Sequence, residues 1–341
     1  MANPVQSRAN HRTRTASANN TDTEAGRSHH EQERRGSLPC VAVAADIPWE
    51  QAWEAAAFGP HGFYVNSRPY DHFTTSVEQA VVATDLLPYL QVALTNGPVT
   101  FIDVGAGTGL LAEQLRSLLN PTEAQHTRFL CLDLRPRPRD LTPEIDWIQG
   151  DARETIKQVP TGNAVLVAHE FLDDLPCPVV EVDEAGLAHV IGIDGERGEQ
   201  KLGPLLATNS PEHAWLERWW PTTRSFMRCE VGVTRDACWK KLTSVVTSGF
   251  AIAIDYAHLR EDRIRGVWDG GTLSGYAHGT LKTPQTSGAS NITAHVAIDA
   301  LAESSYGNPQ IELFRRGPTP DFWWLIAAYG NHFPEPAKMK T

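Results

Sequence analysis

Val99-Thr100-Phe101-Ile102-Asp103-Val104 runs directly into Gly105-Ala106-Gly107-Thr108-Gly109, and Leu110 to Leu119 follows with apolar residues at helical spacing. The first run is short, β-branched and aromatic, which predicts a buried strand. The glycines let the backbone turn sharply and let a ligand approach the main chain. The helix that follows offers unpaired N–H groups and a partial positive charge at its start, and Asn120-Pro121 stops it. Two common loops are disfavoured by spacing. The dinucleotide pattern G-x-G-x-x-G/A would place its third small residue at 110, which is Leu. A phosphate loop would end in Gly-Lys-Ser/Thr, which is absent here.

Further strands are predicted on either side of this unit. Arg128 to Asp133, Trp147 to Asp151, Ala164 to Ala168 and Phe250 to Tyr256 are near-continuous apolar runs separated by helical or turn-rich stretches. Such runs imply a mostly parallel, doubly wound sheet with helices on both faces, an α/β Rossmann-like architecture. About eighty residues separate the fourth strand from the fifth. They hold a predicted hairpin, Pro178 to Val182 against Ala188 to Ile193, and a helix whose Trp215, Trp219 and Trp220 read as core. That length exceeds a simple crossover, so an insertion at about 178–245 is expected to cap the ligand edge. Towards the C-terminus, Val296 to Leu301 reads as helix and Gln310 to Phe314 as strand. Phe322 to Tyr329 fits either.

Residues 1–45 are polar and almost lack large apolar side chains, which predicts a disordered tail. Residues 46–98 are expected to form an N-terminal helical lid. One helix opens with Pro48 at its first position; a second spans Glu78 to Leu94, where Pro88 would kink or divide it. Thr74, Thr75 and Ser76 are candidates to cover a ligand. The domain proper is placed at 99–335.

The chain has 341 residues with 30 Lys and Arg against 41 Asp and Glu, a formal charge of −11. The acidic balance argues against a nucleic-acid-coating protein. The hydrophobic fraction of 41% permits a packed core. Five cysteines without C-x-x-C spacing suggest neither disulfides nor structural zinc, and the histidines show no ligand pairs, so no metal is expected. No apolar run reaches the roughly 18–20 residues of a membrane helix. The expected compartment is cytoplasmic, with the mitochondrial matrix as the alternative for a eukaryotic source.

The pattern acid-x-Gly-x-Gly-x-Gly at Asp103, Gly105, Ala106, Gly107 and Gly109 resembles the first motif of S-adenosylmethionine methyltransferases. Asp133 and Asp151 end the next two strands, where carboxylates can reach a ribose and border an adenine. Four blocks are similar to a narrower group, the MidA-type methyltransferases, the family that includes the mitochondrial complex I assembly-factor arginine methyltransferase. They are Phe58 to Tyr64 with His72 to Ser76; the glycine loop; His169-Glu170-Phe171-Leu172-Asp173-Asp174-Leu175-Pro176; and Gly271 to His278 with Asn291 to Val296. Asp255-Tyr256 also fits. The sequence departs from the family pattern at His169, usually Asn, at Asn291, usually Asp, and at Ala297.

The resemblance implies a Rossmann-like methyltransferase fold and S-adenosyl-L-methionine as cofactor. The cofactor would be held by Asp103, Gly105, Ala106, Gly107, Gly109, Asp133, Asp151 and Glu170. It further implies an arginine of a partner protein, such as a respiratory-complex subunit, as acceptor. Two carboxylates could clamp a guanidinium bidentately and accept its proton. Glu170 is the candidate for that role, with Asp173 or Asp174 beside it. His295, with His278 and Tyr276, is the further catalytic candidate, as a proton shuttle near neutrality or as a hydrogen-bonded structural histidine. Two readings compete: a small-molecule methyltransferase on this fold, and a catalytically weak cofactor-binding assembly factor. The oligomeric state does not follow from the sequence.

Overall fold

The computed structural model describes residues 46–66, 81–194, 199–277, 279–330 and 333–334. The expected tail, Thr74, Thr75, Ser76 and His278 lie outside the described residues. β1 (Ile47–Pro48) leads into α1 (Trp49–Phe58) and α2 (Phe63–Asn66), and α3 (Val81–Leu94) precedes the main sheet. Then β2 (Val99–Val104), α4 (Leu110–Leu118), α5 (Pro121–Gln125), β3 (Thr127–Asp133), β4 (Ile145–Gln149), α6 (Ala152–Thr155) and β5 (Gly162–His169) follow in turn. The long connection holds β6 (Val179–Val182), β7 (Ala188–Ile193), β8 (Gln200–Leu205), α7 (Pro211–Trp219), β9 (Arg228–Glu230) and α8 (Val233–Thr243). The chain continues through β10 (Val246–His258), α9 (Arg260–Ile264), β11 (Ser274–Ala277), β12 (Thr280–Lys282), β13 (Asn291–Thr293) and β14 (Val296–Ala297). It ends with α10 (Ile298–Glu303), β15 (Gln310–Arg315) and β16 (Phe322–Tyr329).

The main sheet has the order β15-β16-β10-β5-β2-β3-β4. Five adjacent strands, β10 through β4, run parallel, as the apolar runs predict. The strand order reverses beside β2, whose neighbours are β3 and β5. That reversal opens a crevice at the carboxyl ends, where sheets of this kind bind ligands. Phe322 to Tyr329, ambiguous in sequence, is a strand antiparallel to β10. All eight of its residues are buried, so periodicity could not separate helix from strand.

Helices cover both faces. Leu86 and Leu90 of α3 with Leu111 and Leu115 of α4 pack on one face; Trp239 and Leu242 of α8 with Leu301 of α10 pack on the other. Each such fully buried side chain contributes about 1.5–3 kcal/mol. Pro88 sits inside α3, which remains a single helix. Pro48 precedes α1 as its N-cap and is not its first residue.

The connection at 178–245 forms a second sheet, β1-β7-β6-β9 with β8 on β7. Its core contains Trp215 and Trp220. Cys238, Trp239 and Leu242 belong to the main core, so α8 serves as the crossover helix between β5 and β10. The 46–98 segment also divides: α1 packs on the second sheet, whereas α3 packs on the main one.

Arg235 of α8 ties these parts together. Its buried guanidinium donates to the carbonyls of Leu175 at 3.0 Å, Ala294 at 2.9 Å, His295 at 3.0 Å and Asp173 at 2.8 Å. Arg235→Met leaves four carbonyls in a dry interior without that donor. Loss of one charged hydrogen-bond partner there costs about 3 kcal/mol or more. Urea unfolding should show the midpoint falling by the corresponding amount; a loss under about 1 kcal/mol would contradict this role.

Candidate active site

β2 ends because Gly105 adopts a φ of 71°. A Cβ there would lie 2.7 Å from the Phe171 ring, and at Gly109 (φ 79°) it would lie 2.6 Å from Leu141. These two glycines are required by packing. Gly107 differs: its φ is 63°, and a Cβ would meet nothing nearer than Arg135 at 3.8 Å. It is the position left open for a ligand. The N–H groups of Gly105 and Ala106 donate to Leu132 O at 2.9 and 3.1 Å, which pins the loop to β3.

The loop forms one wall of a cavity of about 930 Å³. Asp103, Gly105, Ala106, Gly107, Asp133, Asp151, Glu170, Asp173 and His295 all line it; Gly109, at the start of α4, does not. Phe58 and Tyr64 close one side, and Thr272 to Tyr276 with Asn291 to His295 close another. Among the described residues no lining position falls between 178 and 245, so the inserted sheet is not the roof. It supports the wall instead. The buried Glu230 carboxylate accepts from Thr272 N at 3.0 Å, Thr272 Oγ1 at 3.0 Å and Leu273 N at 3.2 Å.

The acids that follow β3 and β4 are already engaged. Asp133 accepts from Gly107 N and Arg135 N, each at 2.8 Å, and from Arg135 Nε at 3.3 Å. Asp151 caps α6 through Arg153 N at 2.9 Å. It also pairs with the Arg153 guanidinium, which reaches Glu54 of α1 at 2.7 and 2.8 Å. Asp103 is buried and its Oδ2 has no partner among the described residues. Burial, then the Asp133 charge, push its carboxyl up to about 7.

A second group of acids crowds together just past β5 and among the last residues of β10. Asp255 Oδ2 accepts from Leu172 N at 2.9 Å and Asp173 N at 3.2 Å. Asp173 Oδ2 accepts from Thr293 Oγ1 at 2.6 Å, its buried Oδ1 meets no donor group among the described residues, and its carboxyl pairs with that of Asp255. Asn291 Nδ2 donates to Asp174 Oδ1 at 3.0 Å, and Tyr64 Oη donates to Asn291 Oδ1 at 2.8 Å. An Asp at 291 would set two carboxylates face to face, so Asn supplies the donor the pair needs. Burial raises the pKa of Asp173, Asp174 and Asp255, and mutual repulsion adds to it. Glu170 holds a φ of 46°, a left-handed conformation that is strained for a non-glycine residue. Its N–H donates to Ile254 O at 2.8 Å, tying it to the end of β10.

His169 is buried beside Glu170, with Nε2 at 3.5 Å from Glu170 Oε1. Burial lowers its pKa to about 4, so it is neutral near pH 7. His295 stacks on Tyr256 with centroids 5.9 Å apart, and its Nε2 lies 3.5 Å from Asp321 Oδ2. Burial lowers its pKa too. Sequence reasoning missed Arg135, Arg235, Glu230 and Asp321, which carry no motif of their own, and gave no role to Tyr64, although it ends the first family block.

The family model described as "Putative S-adenosyl-L-methionine-dependent methyltransferase" matches residues 81–314. The chain belongs to this family. The resemblance to MidA-type methyltransferases is thereby borne out, and the cofactor is S-adenosyl-L-methionine. Over 155 residues the chain is 26% identical to the mitochondrial protein arginine methyltransferase NDUFAF7 of Rattus norvegicus, covering 45% of this chain. It spans 33%, about a third, of that curated relative's length. A COG1565 superfamily member from Burkholderia thailandensis, solved with S-adenosyl-homocysteine, aligns with a TM-score of 0.62 at 21% identity, over 76% of this chain and 71% of that one. A native structure from the same organism gives 0.60 at 21% identity, over 76% and 70%. These two show the shared fold.

The residues present fit the cofactor. The cavity joins an open glycine, the first turn of α4 and carboxylates that can accept from hydroxyl and ammonium groups. When bound, the cofactor supplies a methyl group on a sulfonium. Among the described residues no cluster of three or more His, Cys, Asp or Glu could hold a metal, and no helix is long and apolar enough to cross a membrane.

Two outcomes test this geometry. Gly107→Ala should weaken S-adenosyl-L-methionine binding by calorimetry yet cost only the left-handed strain, about 1–2 kcal/mol, whereas Gly109→Ala should also disturb packing at Leu141. The second concerns pH. An unfolded chain gives up the Asp103 proton near pH 4, so between about 4 and 7 the folded protein holds more protons. The Asp103 contribution therefore declines as pH rises. In ligand-free protein Asp103→Asn should gain on the wild type from pH 4 to 7, by at most about 1.4 kcal/mol per unit. Parallel unfolding curves for the two would contradict it.

Proposed function

We propose that this methyltransferase acts on a guanidinium nitrogen of an arginine in a partner protein. One observation carries the reading. Asp173 sits buried and Asp174 half-buried in the cavity wall near Glu170, and Arg235, the buried cation beside them, spends its donors on main-chain carbonyls. Among the described residues neither Asp173 nor Asp174 makes an ion pair, their side-chain donors being the neutral Thr293 and Asn291, and a planar cation would supply one. The name of the rat relative, a protein arginine methyltransferase, favours the same class of acceptor.

A guanidinium is protonated at neutral pH and is a weak nucleophile. Carboxylates can bind two of its N–H groups in a fork and fix the third nitrogen in line. Glu170 is assigned to hold the guanidinium, with Asp173 beside it. As the nitrogen–carbon bond forms and the sulfur–carbon bond breaks, the departing N–H proton passes to a carboxylate. A cation arriving beside Asp173 and Asp174 pulls their raised pKa values down and leaves a charged acceptor ready for that proton.

Incubation with methyl-labelled S-adenosyl-L-methionine and cell proteins should place methylarginine in the hydrolysed protein fraction. Glu170→Gln should lower its formation by about 100-fold or more while thermal stabilisation by the cofactor persists. Label confined to small molecules or to another amino acid, or retained turnover in Glu170→Gln, would overturn the proposal.

A further inference from the structure

His295 lines the cavity, and behind it the rings of His258 and Trp268 pack on it and on each other. Ring centroids are 5.7 Å apart for His258 and Trp268, 6.3 Å for His258 and His295, and 5.0 Å for Trp268 and His295. Each ring carries a buried nitrogen with no hydrogen-bond partner among the described residues: His258 Nε2, Trp268 Nε1 and His295 Nδ1. Buried polar atoms almost always have a partner, from protein or ordered water. Trp220 also packs on His258, with centroids 5.0 Å apart, and its Nε1 is likewise unpartnered among the described residues; the three orphans on rings that each meet the other two point to a shared partner.

The donor pattern is fixed by Arg263. Its Nη1 donates to His258 Nδ1 at 2.8 Å, and its other donors reach Asp299 Oδ1 at 2.8 Å and Trp219 O at 2.9 Å. Arginine is donor-only and permanently charged. His258 Nδ1 must accept, so the neutral ring carries its proton on Nε2. The indole nitrogen of Trp268 is also donor-only. Two of the three orphaned nitrogens are thus donors.

We propose that one buried water accepts from His258 Nε2–H and Trp268 Nε1–H and donates to His295 Nδ1, fixing His295 as the tautomer protonated at Nε2. A water with both acceptor positions filled has only its own protons left to offer, and three partners is the usual number for such a water. The His295 Nε2–H then points its proton towards Asp321, 3.5 Å away at the cavity wall. In this form His295 is a hydrogen-bond donor, and Nε2 cannot take a proton from the acceptor. Burial opposes an imidazolium in both rings, joined by the Arg263 charge at His258, and at His295 it outweighs the opposite pull of Asp321 and Asp173. The shuttle role expected for His295 passes to the carboxyl groups of Glu170 and Asp173. His258 and Trp268 become positioning residues. The assignment rests on the ring cluster and holds whatever the methyl acceptor is.

Ring-nitrogen NMR of the full chain, uniformly labelled with nitrogen-15 at neutral pH, tests it, with His295 assigned against His295→Gln. The expected spectrum has an unprotonated Nδ1 and a protonated Nε2. Trp268→Phe and His258→Phe each keep a ring and remove one donor, and should mix in the other tautomer. If the fully buried His258→Phe fails to fold, the wild-type spectrum and Trp268→Phe decide. A protonated Nδ1 in the wild type, or a Trp268→Phe spectrum unchanged from it, would overturn the proposal.

Discussion

The carboxylate of Asp255, at the end of β10, accepts from two successive main-chain N–H groups after β5. That contact fixes the turn carrying Glu170, Asp173 and Asp174. It sets acids side by side where water is scarce, an arrangement that raises the carboxyls of Asp173, Asp174 and Asp255. The folded chain bears this repulsion, and the strain of Glu170, and so presents a cavity wall lined with carboxyl groups. Strain of this kind, of order 1–3 kcal/mol per residue, persists only where surrounding contacts over-determine it.

Those contacts come from outside the methyltransferase sheet. Arg235 gathers four carbonyls that belong to the turn after β5 and to the segment before β14. Glu230, at the end of β9, holds the opposite end of the same wall through Thr272 and Leu273. Thr272 Oγ1 in turn accepts from His295 N at 2.9 Å. The inserted sheet thus acts as a buttress. Tyr64 and Asn291, with the Glu54–Arg153–Asp151 chain, join the N-terminal helices to the same crevice.

Much of this was legible along the chain. Continuous apolar runs at Val99, Arg128, Ala164 and Phe250 announced a buried parallel sheet, and the Gly105–Gly109 spacing pointed to the ligand crevice at its edge. Glu170 and Asp173 were named from their position just past the fourth strand, and both line the cavity. What escaped was set by long-range contact. Arg235 lies in an ordinary helix, and only tertiary packing shows that it binds carbonyls about sixty residues away on either side. Asp151 illustrates the converse: a carboxylate at a strand end both borders the cavity and caps a helix. Phe322 to Tyr329 stayed ambiguous because burial on both faces erases the period that separates helix from strand.

The central claim is that the crowded carboxyl groups await a cation. Calorimetry in buffers of different ionisation enthalpy measures it directly, with N-acetyl-arginine amide titrated into protein loaded with S-adenosyl-homocysteine at neutral pH. The account predicts binding accompanied by net proton release as the raised carboxyl groups ionise, and no binding by the uncharged citrulline analogue. Equal binding of the two, or arginine binding without proton exchange, would contradict it.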